Sequence, residues 1–196
     1  MIIGITGSIG SGKTTAAKIF SKLHFSRIDA DEIGHHILKR NSVAYRKIIK
    51  IFGNGILDKN RDIARKKLSD IVFNDKKSLE KLNSITHLII INEIKNQIKK
   101  IQKKCGGRAG IIIDAPLLLE TKTVTFVDKV IVVECSKENI LKRLSKKYSM
   151  GEIEKILNAQ MPLDEKLRHA DFVIDNNKDL KHLEKQVKNT IKNIEK

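Results

Sequence analysis

Eight residues near the start of the chain, Gly7-Ser8-Ile9-Gly10-Ser11-Gly12-Lys13-Thr14, fit the spacing GxxxxGK followed by Ser or Thr at every fixed position. Each residue type has a chemical reason to stand there. Glycines let the backbone wrap closely enough for successive N–H groups to face phosphate oxygens. A helix starting near Lys13 would add the positive end of its dipole to the same place. The Lys13 ammonium is expected to reach the β- and γ-phosphates of ATP, and the Thr14 hydroxyl to ligate Mg²⁺. Gly10, Ser11, Gly12, Lys13, Thr14 and Thr15 are the residues expected to contact the nucleotide. A glycine-rich turn that binds nothing is the plain alternative, and the flanking patterns argue against it. Ile2 to Thr6 reads as a buried strand, and Ala17, Ile19, Phe20 and Leu23 recur at helical spacing.

Three further clusters could complete a phosphoryl-transfer site. Asp29-Ala30-Asp31 stands at the carboxyl end of a second strand, where open α/β sheets bind ligands. One carboxylate could hold the turn or a metal's water shell while the other takes a proton from an attacking hydroxyl. Asp31 could equally cap the helix beginning at Glu32. Asp114, directly after the apolar run Ile111 to Ile113, is placed to hold magnesium, with loop formation before Ala115-Pro116 as the alternative. Lys142-Arg143-Leu144-Ser145-Lys146-Lys147, with Arg168 beyond, could supply lid cations for the charge that spreads over a transferring phosphoryl group. A basic run on a helix is more often solvated.

The elements that must position these residues follow a regular order. Strands are expected at Ile2 to Thr6, around Arg27 to Asp29, at Ile111 to Ile113, Val130 to Val133 and Phe172 to Ile174. The third and fourth are continuous apolar runs, as in parallel strands covered on both faces. Helices are expected over Thr14 to Leu23, Glu32 to Lys39, Val43 to Phe52, most of Arg61 to Lys104, Lys137 to Lys147, Gly151 to Ala159 and from Leu180 onward. Alternation of this kind implies right-handed crossovers and an open parallel sheet flanked by helices, a three-layer α/β fold.

Composition narrows the function. The chain has 196 residues, enough for one folding unit with an inserted subdomain. No apolar run approaches the ~20 residues that cross a bilayer, and the N-terminus lacks the charged start of a secretory signal, so a cytoplasmic protein is expected. Cys105 and Cys135 belong to no CxxC or Cys/His cluster, and the neighbours His35 and His36 would diverge on a helix. The formal net charge of +16 raises nucleic acid as a partner. With 4% aromatic residues, no tryptophan and lysines spread along helices, it lacks a stacking platform, and no nucleic-acid partner is expected. The glycine loop leaves the acceptor open, but a short chain without an NKxD guanine-reading motif suits a small-molecule kinase.

Taken in order, GITGSIGSGKTT at 4–15, IDADEIGHHIL at 28–38, IVF at 71–73, LNSITH at 82–87, DAPLLLE at 114–120, KRL at 142–144, and NAQ then ADFVIDN within 158–176 resemble the dephospho-CoA kinase family. The resemblance covers nearly the whole chain. It implies a P-loop kinase core at about 1–34 and 106–196, a helical CoA-binding subdomain at about 35–105 and a lid at about 140–165. It implies transfer of the ATP γ-phosphoryl group to the ribose 3'-hydroxyl of dephospho-CoA, with Mg²⁺. By position in the motifs, Asp31 matches the family's proposed general base, Lys13 and Arg143 its phosphate-facing cations, and Asp29, His35 and His87 its acceptor site. ATP and dephospho-CoA are the expected partners, the protein acting as a monomer or weak homo-oligomer. Another small P-loop kinase, acting on a nucleotide or sugar acid, is the alternative. Three departures stand out: Ser8 for a usual glycine, Leu88 for a common proline, and Lys147 for a second lid arginine, which keeps the charge but loses the bidentate fork.

Overall fold

The computed structural model describes residues 1–106 and 109–194. Five strands form one sheet: β1 (Ile2–Thr6), β2 (Ser26–Asp29), β3 (Ile111–Asp114), β4 (Lys129–Glu134) and β5 (Phe172–Asp175). Their order is β2-β3-β1-β4-β5, and every neighbouring pair is parallel. The apolar runs of β3 and β4 lie where the sequence places them, inside the sheet, with Ile111 to Ile113 and Ile131 to Val133 fully buried.

The helices are α1 (Lys13–Lys22), α2 (Ala30–Ile37), α3 (Val43–Phe52), α4 (Arg65–Asn74), α5 (Lys76–Lys104), α6 (Lys137–Leu144), α7 (Met150–Asn158), α8 (Leu163–Arg168) and α9 (Leu180–Ile194). The chain divides into two compact units, one of residues 1–29 with 97–196 and the other of residues 30–96. The division within α5 falls before residue 105 because the last turns of that helix pack with the first unit.

In the first unit, α1 and α9 share a core with one sheet face: Ala16, Ala17, Phe20, Leu183 and Val187 pack with Ile3, Ile5, Ile112, Ile131, Val133 and Ile174. The opposite face carries Gly4, where any side chain would overlap Leu118 from the loop after β3. The sheet therefore reads out its period of two: isoleucines toward α1 and α9, and a bare glycine where Leu118 must approach. In the second unit, Ala44, Tyr45, Ile48, Ile56, Ile63, Leu68 and Val72 form a separate core backed by Leu79, Leu82, Ile85 and Ile89.

Some element boundaries differ from expectation for local reasons. The stretch 61–104 is mostly helical, as expected, and is divided into α4 and α5: Leu57 and Ile63 form a bridge before them, and the chain breaks at Asp75, whose carboxylate accepts from the Ser78 amide and hydroxyl. The basic stretch 142–147 is helical only to Leu144, because α7 starts afresh at Ser149 through a capping box with Glu152. Helix α8 lies in a charge-rich segment to which the sequence reading assigns no element. The C-terminal helix runs to Ile194, and residues 195–196 lie outside the described residues.

Candidate active site

The glycine loop joins β1 to α1 with left-handed backbone at Gly10 (φ 77°) and Gly12 (φ 92°). Position 12 tolerates no side chain for a second reason, since a Cβ there would overlap Nδ2 of Asn176. The turn is closed by the Ser11 amide donating to the Ser8 carbonyl at 3.1 Å. No side chain caps the start of α1, whose N-cap is Gly12, so the positive end of its dipole lies at the loop. Lys13 is 9% exposed and Ser11 is 1% exposed, and the buried Ser11 Oγ lacks a hydrogen-bond partner. Thr14 is half-buried and Thr15 exposed. A lysine almost wholly excluded from solvent, at the junction of a glycine loop with a helix start, is an arrangement suited to polyphosphate.

The ends of β2 and β3 add a charged cluster beside β1. Asp114 pairs in register with Ile5 of β1 and with Asp29 of β2. Arg27, two residues before Asp29 on the same side of its strand, donates to Asp29 and, at 2.7 Å, to Asp114 Oδ2. Burial alone would lower the Arg27 pKa, but hydrogen bonding to Asp114 and the charges of both carboxylates outweigh it, so the value is raised and the guanidinium stays charged. Asp114 is 2% exposed, and its Oδ1 is buried with no partner. A hard oxygen donor with an unspent lone pair, at the level where the glycine loop leaves the sheet, fits the outer shell of a magnesium ion. Among the described residues, no group of three His, Cys, Asp or Glu side chains is placed to hold a metal ion by itself.

Arg143 lies behind the loop. Its Nη1 donates to the carbonyls of Gly10 (3.1 Å) and Ser11 (3.2 Å) and to Cys135 Sγ (3.2 Å), and its Nη2 donates to the Asn176 carbonyl (2.8 Å). Burial raises the Cys135 pKa despite this cation, so the thiol remains protonated and inert. Asn176 Nδ2 donates to the same Ser11 carbonyl at 2.7 Å. On another side of the loop, the Ile9 amide donates to Gln160 Oε1 at 3.1 Å.

The segment after Gln160 also grips the loop that follows Asp114. Lys166, with 0% exposure, donates to the Pro116 carbonyl (2.7 Å) and to Glu120 Oε1 (2.8 Å), an oxygen that also accepts from the Met161 amide. Glu120→Ala is expected to cost about 3–5 kcal/mol, because it strands a buried ammonium. Adding Lys166→Met to that variant should recover much of the loss, since the stranded charge is then gone. Urea unfolding of the three proteins measures both; a negligible cost for Glu120→Ala would mean that the ion pair is not needed.

Asp31, His35 and His87 belong to the second unit. Helix α2 begins at Ala30, earlier than expected, so Asp31 sits inside its first turn rather than at the cap. Asp31 and His35 are exposed. His87 is half-buried on α5, and burial lowers its pKa below the ordinary value, so it is neutral at physiological pH. Leu88, the departure from the family's proline, is 64% exposed and lies inside α5, which passes through it unbroken.

Sequence reasoning assigned no role to Arg27, Glu120, Gln160, Lys166 or Asn176. Gln160, Glu120 and Asn176 fall within segments that carry the family resemblance, which was the available signal. Lys166, in the stretch Leu163-Asp164-Glu165-Lys166-Leu167-Arg168, offers none, because only tertiary burial separates it from its solvated neighbours.

Comparisons with known proteins agree with one another. The dephospho-CoA kinase family model matches residues 1–182. A dephospho-CoA kinase of Carboxydothermus hydrogenoformans is 42% identical over 188 residues, covering 95% of this chain and 90% of that protein. The solved dephospho-CoA kinase of Campylobacter jejuni superposes with a TM-score of 0.70 at 31% identity, covering 98% of this chain and 96% of that one. Shikimate kinase of Acinetobacter baumannii, at 14% identity and a TM-score of 0.57 over 98% of this chain and 92% of that one, shares the P-loop kinase fold. With the family matched from the first strand into the last helix and the loop, sheet order and flanking helices as described, the chain belongs to the dephospho-CoA kinase family, ATP-dependent enzymes of the last step of coenzyme A biosynthesis.

Proposed function

We propose that the loop Gly7–Thr14 binds the phosphates of ATP and that Asp31 serves as general base toward the ribose 3'-hydroxyl of dephospho-CoA. The amides of residues 10–15 and the Lys13 ammonium hold the β- and γ-phosphates. Asp31 accepts the proton of the 3'-hydroxyl, whose oxygen bonds to the γ-phosphorus as the bond from that phosphorus to the β–γ bridging oxygen breaks. The products are coenzyme A and ADP. Asp29, His35 and His87 shape the acceptor side, and a neutral His87 can both donate and accept a hydrogen bond there. Magnesium would be held by Thr14 and, through water, by Asp114, and when bound it neutralises charge on the β- and γ-phosphates. Residues 140–165 form the lid, and residues 35–105 carry most of the acceptor subdomain.

The observation that carries the donor half is the meeting, at neighbouring strand ends, of a glycine loop running into a buried lysine with a carboxylate whose inner oxygen is unspent. Among the described residues no helix is long and apolar enough to cross a membrane, in keeping with a cytoplasmic enzyme working on dissolved substrates. A direct test measures ATP consumption with dephospho-CoA, nucleoside monophosphates and DNA in parallel. Turnover is expected with dephospho-CoA. Stimulation by nucleic acid alone would reject the proposal, and turnover with nucleoside monophosphates alone would move it to another small-molecule kinase.

A further inference from the structure

The phosphate loop is held from behind as well as shaped by its own glycines. A peptide unit is planar and trans, so the carbonyl of one residue and the amide N–H of the next point in opposite directions. Whatever grips the Ser11 carbonyl therefore aims the Gly12 N–H the other way. Two donors grip it: Asn176 Nδ2 at 2.7 Å and Arg143 Nη1 at 3.2 Å. Arg143 also holds the Gly10 carbonyl, on the far side of the peptide whose amide closes the Ser8 turn.

Both braces are anchored to the sheet. Asn176 follows β5 directly, is 6% exposed, and donates its own amide to the Glu134 carbonyl at the end of β4 at 3.0 Å. Arg143 ties itself to the Asn176 carbonyl through Nη2 and to Cys135, just after β4, through Nη1. A cation behind a peptide also favours the orientation with its oxygen toward that charge and its N–H away. Gly12 completes the fit, because the Asn176 amide fills the space a side chain at position 12 would need.

We infer that Asn176 and Arg143 are positioning residues for the donor half of the reaction, a rear brace that holds the Ser11–Gly12 peptide with its N–H presented to the nucleotide's phosphates. This assigns a role to Asn176 and moves Arg143 from a mobile lid cation to a fixed support of the loop. The brace matters only if the loop binds polyphosphate as proposed above, and the two ideas separate by experiment.

Calorimetry with ADP, and with tripolyphosphate as a probe that lacks adenine, compares the wild type with Asn176→Ala, Asn176→Asp, Arg143→Ala and Arg143→Lys in the presence of magnesium. Each alanine variant is expected to weaken both ligands about 5- to 50-fold, the worth of one or two hydrogen bonds to a loop that must hold an anion. Asn176→Asp keeps the side-chain volume but faces the Ser11 carbonyl with an acceptor, so it should lose more than the alanine variant. Arg143→Lys should recover part of the loss. In steady-state kinetics the ATP KM should rise by a similar factor while the dephospho-CoA KM stays within about twofold, a split that general unfolding does not produce. Tripolyphosphate binding equal to wild type in both alanine variants would overturn the brace. So would a kcat loss in Arg143→Ala at unchanged ATP KM, which would make Arg143 a cation of the transition state. If the wild type bound neither ADP nor tripolyphosphate, the donor reading itself would fall, and the brace with it.

Discussion

Lys13→Ala is expected to abolish phosphoryl transfer while leaving the fold intact. The Lys13 side chain is almost wholly enclosed, so its charge acts on bound phosphate through a medium far less screening than water. A single oriented electrostatic group of this kind is worth ~10²–10³ in rate at other enzymes. Here the same ammonium also counters the charge of the bound triphosphate, so donor affinity and the chemical step fail together and turnover should drop below detection. The core of the first unit takes Ala16, Ala17, Ile19 and Phe20 from α1, and truncating Lys13 removes none of them. Release of ADP in a coupled assay at saturating dephospho-CoA, alongside a thermal melt, decides the matter. Undiminished turnover would contradict the donor-site assignment.

The second large effect is on the acceptor side. Asp31→Asn is expected to lower kcat by roughly 10²–10⁴ with a much smaller change in KM, because a general base acts chiefly in the transition state. Asparagine keeps the shape and can still stand in the first turn of α2, where a carboxylate otherwise gains a little from the helix dipole. Its stability cost should therefore be small, within about 1 kcal/mol. The kinetic split thus separates base from helix-end carboxylate. An asparagine variant that turns over at the full rate would leave Asp31 a local structural residue.

Much of this arrangement was legible before any coordinates. The buried strands β1, β3 and β4 announce themselves as short apolar runs, and the loop between β1 and α1 by glycines at fixed intervals before a lysine. The start of α7 also carries a signal that the reading from Gly151 passed over, Ser149 with Glu152 three residues on, a capping box that the structure contains. Other features left no trace. Helix α8 spans six residues, too few for a periodic pattern to stand out from its charges. The mostly helical reading of 61–104 holds in α4 and α5, but the point where they part at Asp75 and the bridge of Leu57 with Ile63 rest on side-chain and backbone bonds that periodicity does not show.

Local interactions explain the division. Glycine's freedom at positive φ, the alternation of a strand and the capping of a helix are decided by residues within a few positions of one another, so the chain's order of types was enough to set the phosphate loop, the parallel strands and the kind of chemistry they serve. Whether a particular arginine, lysine or asparagine is solvated or structural depends on partners far along the chain. Arg143 finds Gly10 across 133 positions, Asn176 finds Ser11 across 165, and Lys166 finds Pro116 across 50. Only the folded sheet brings those groups into contact, and burial then turns surface-like residues into the supports on which the loop's geometry depends.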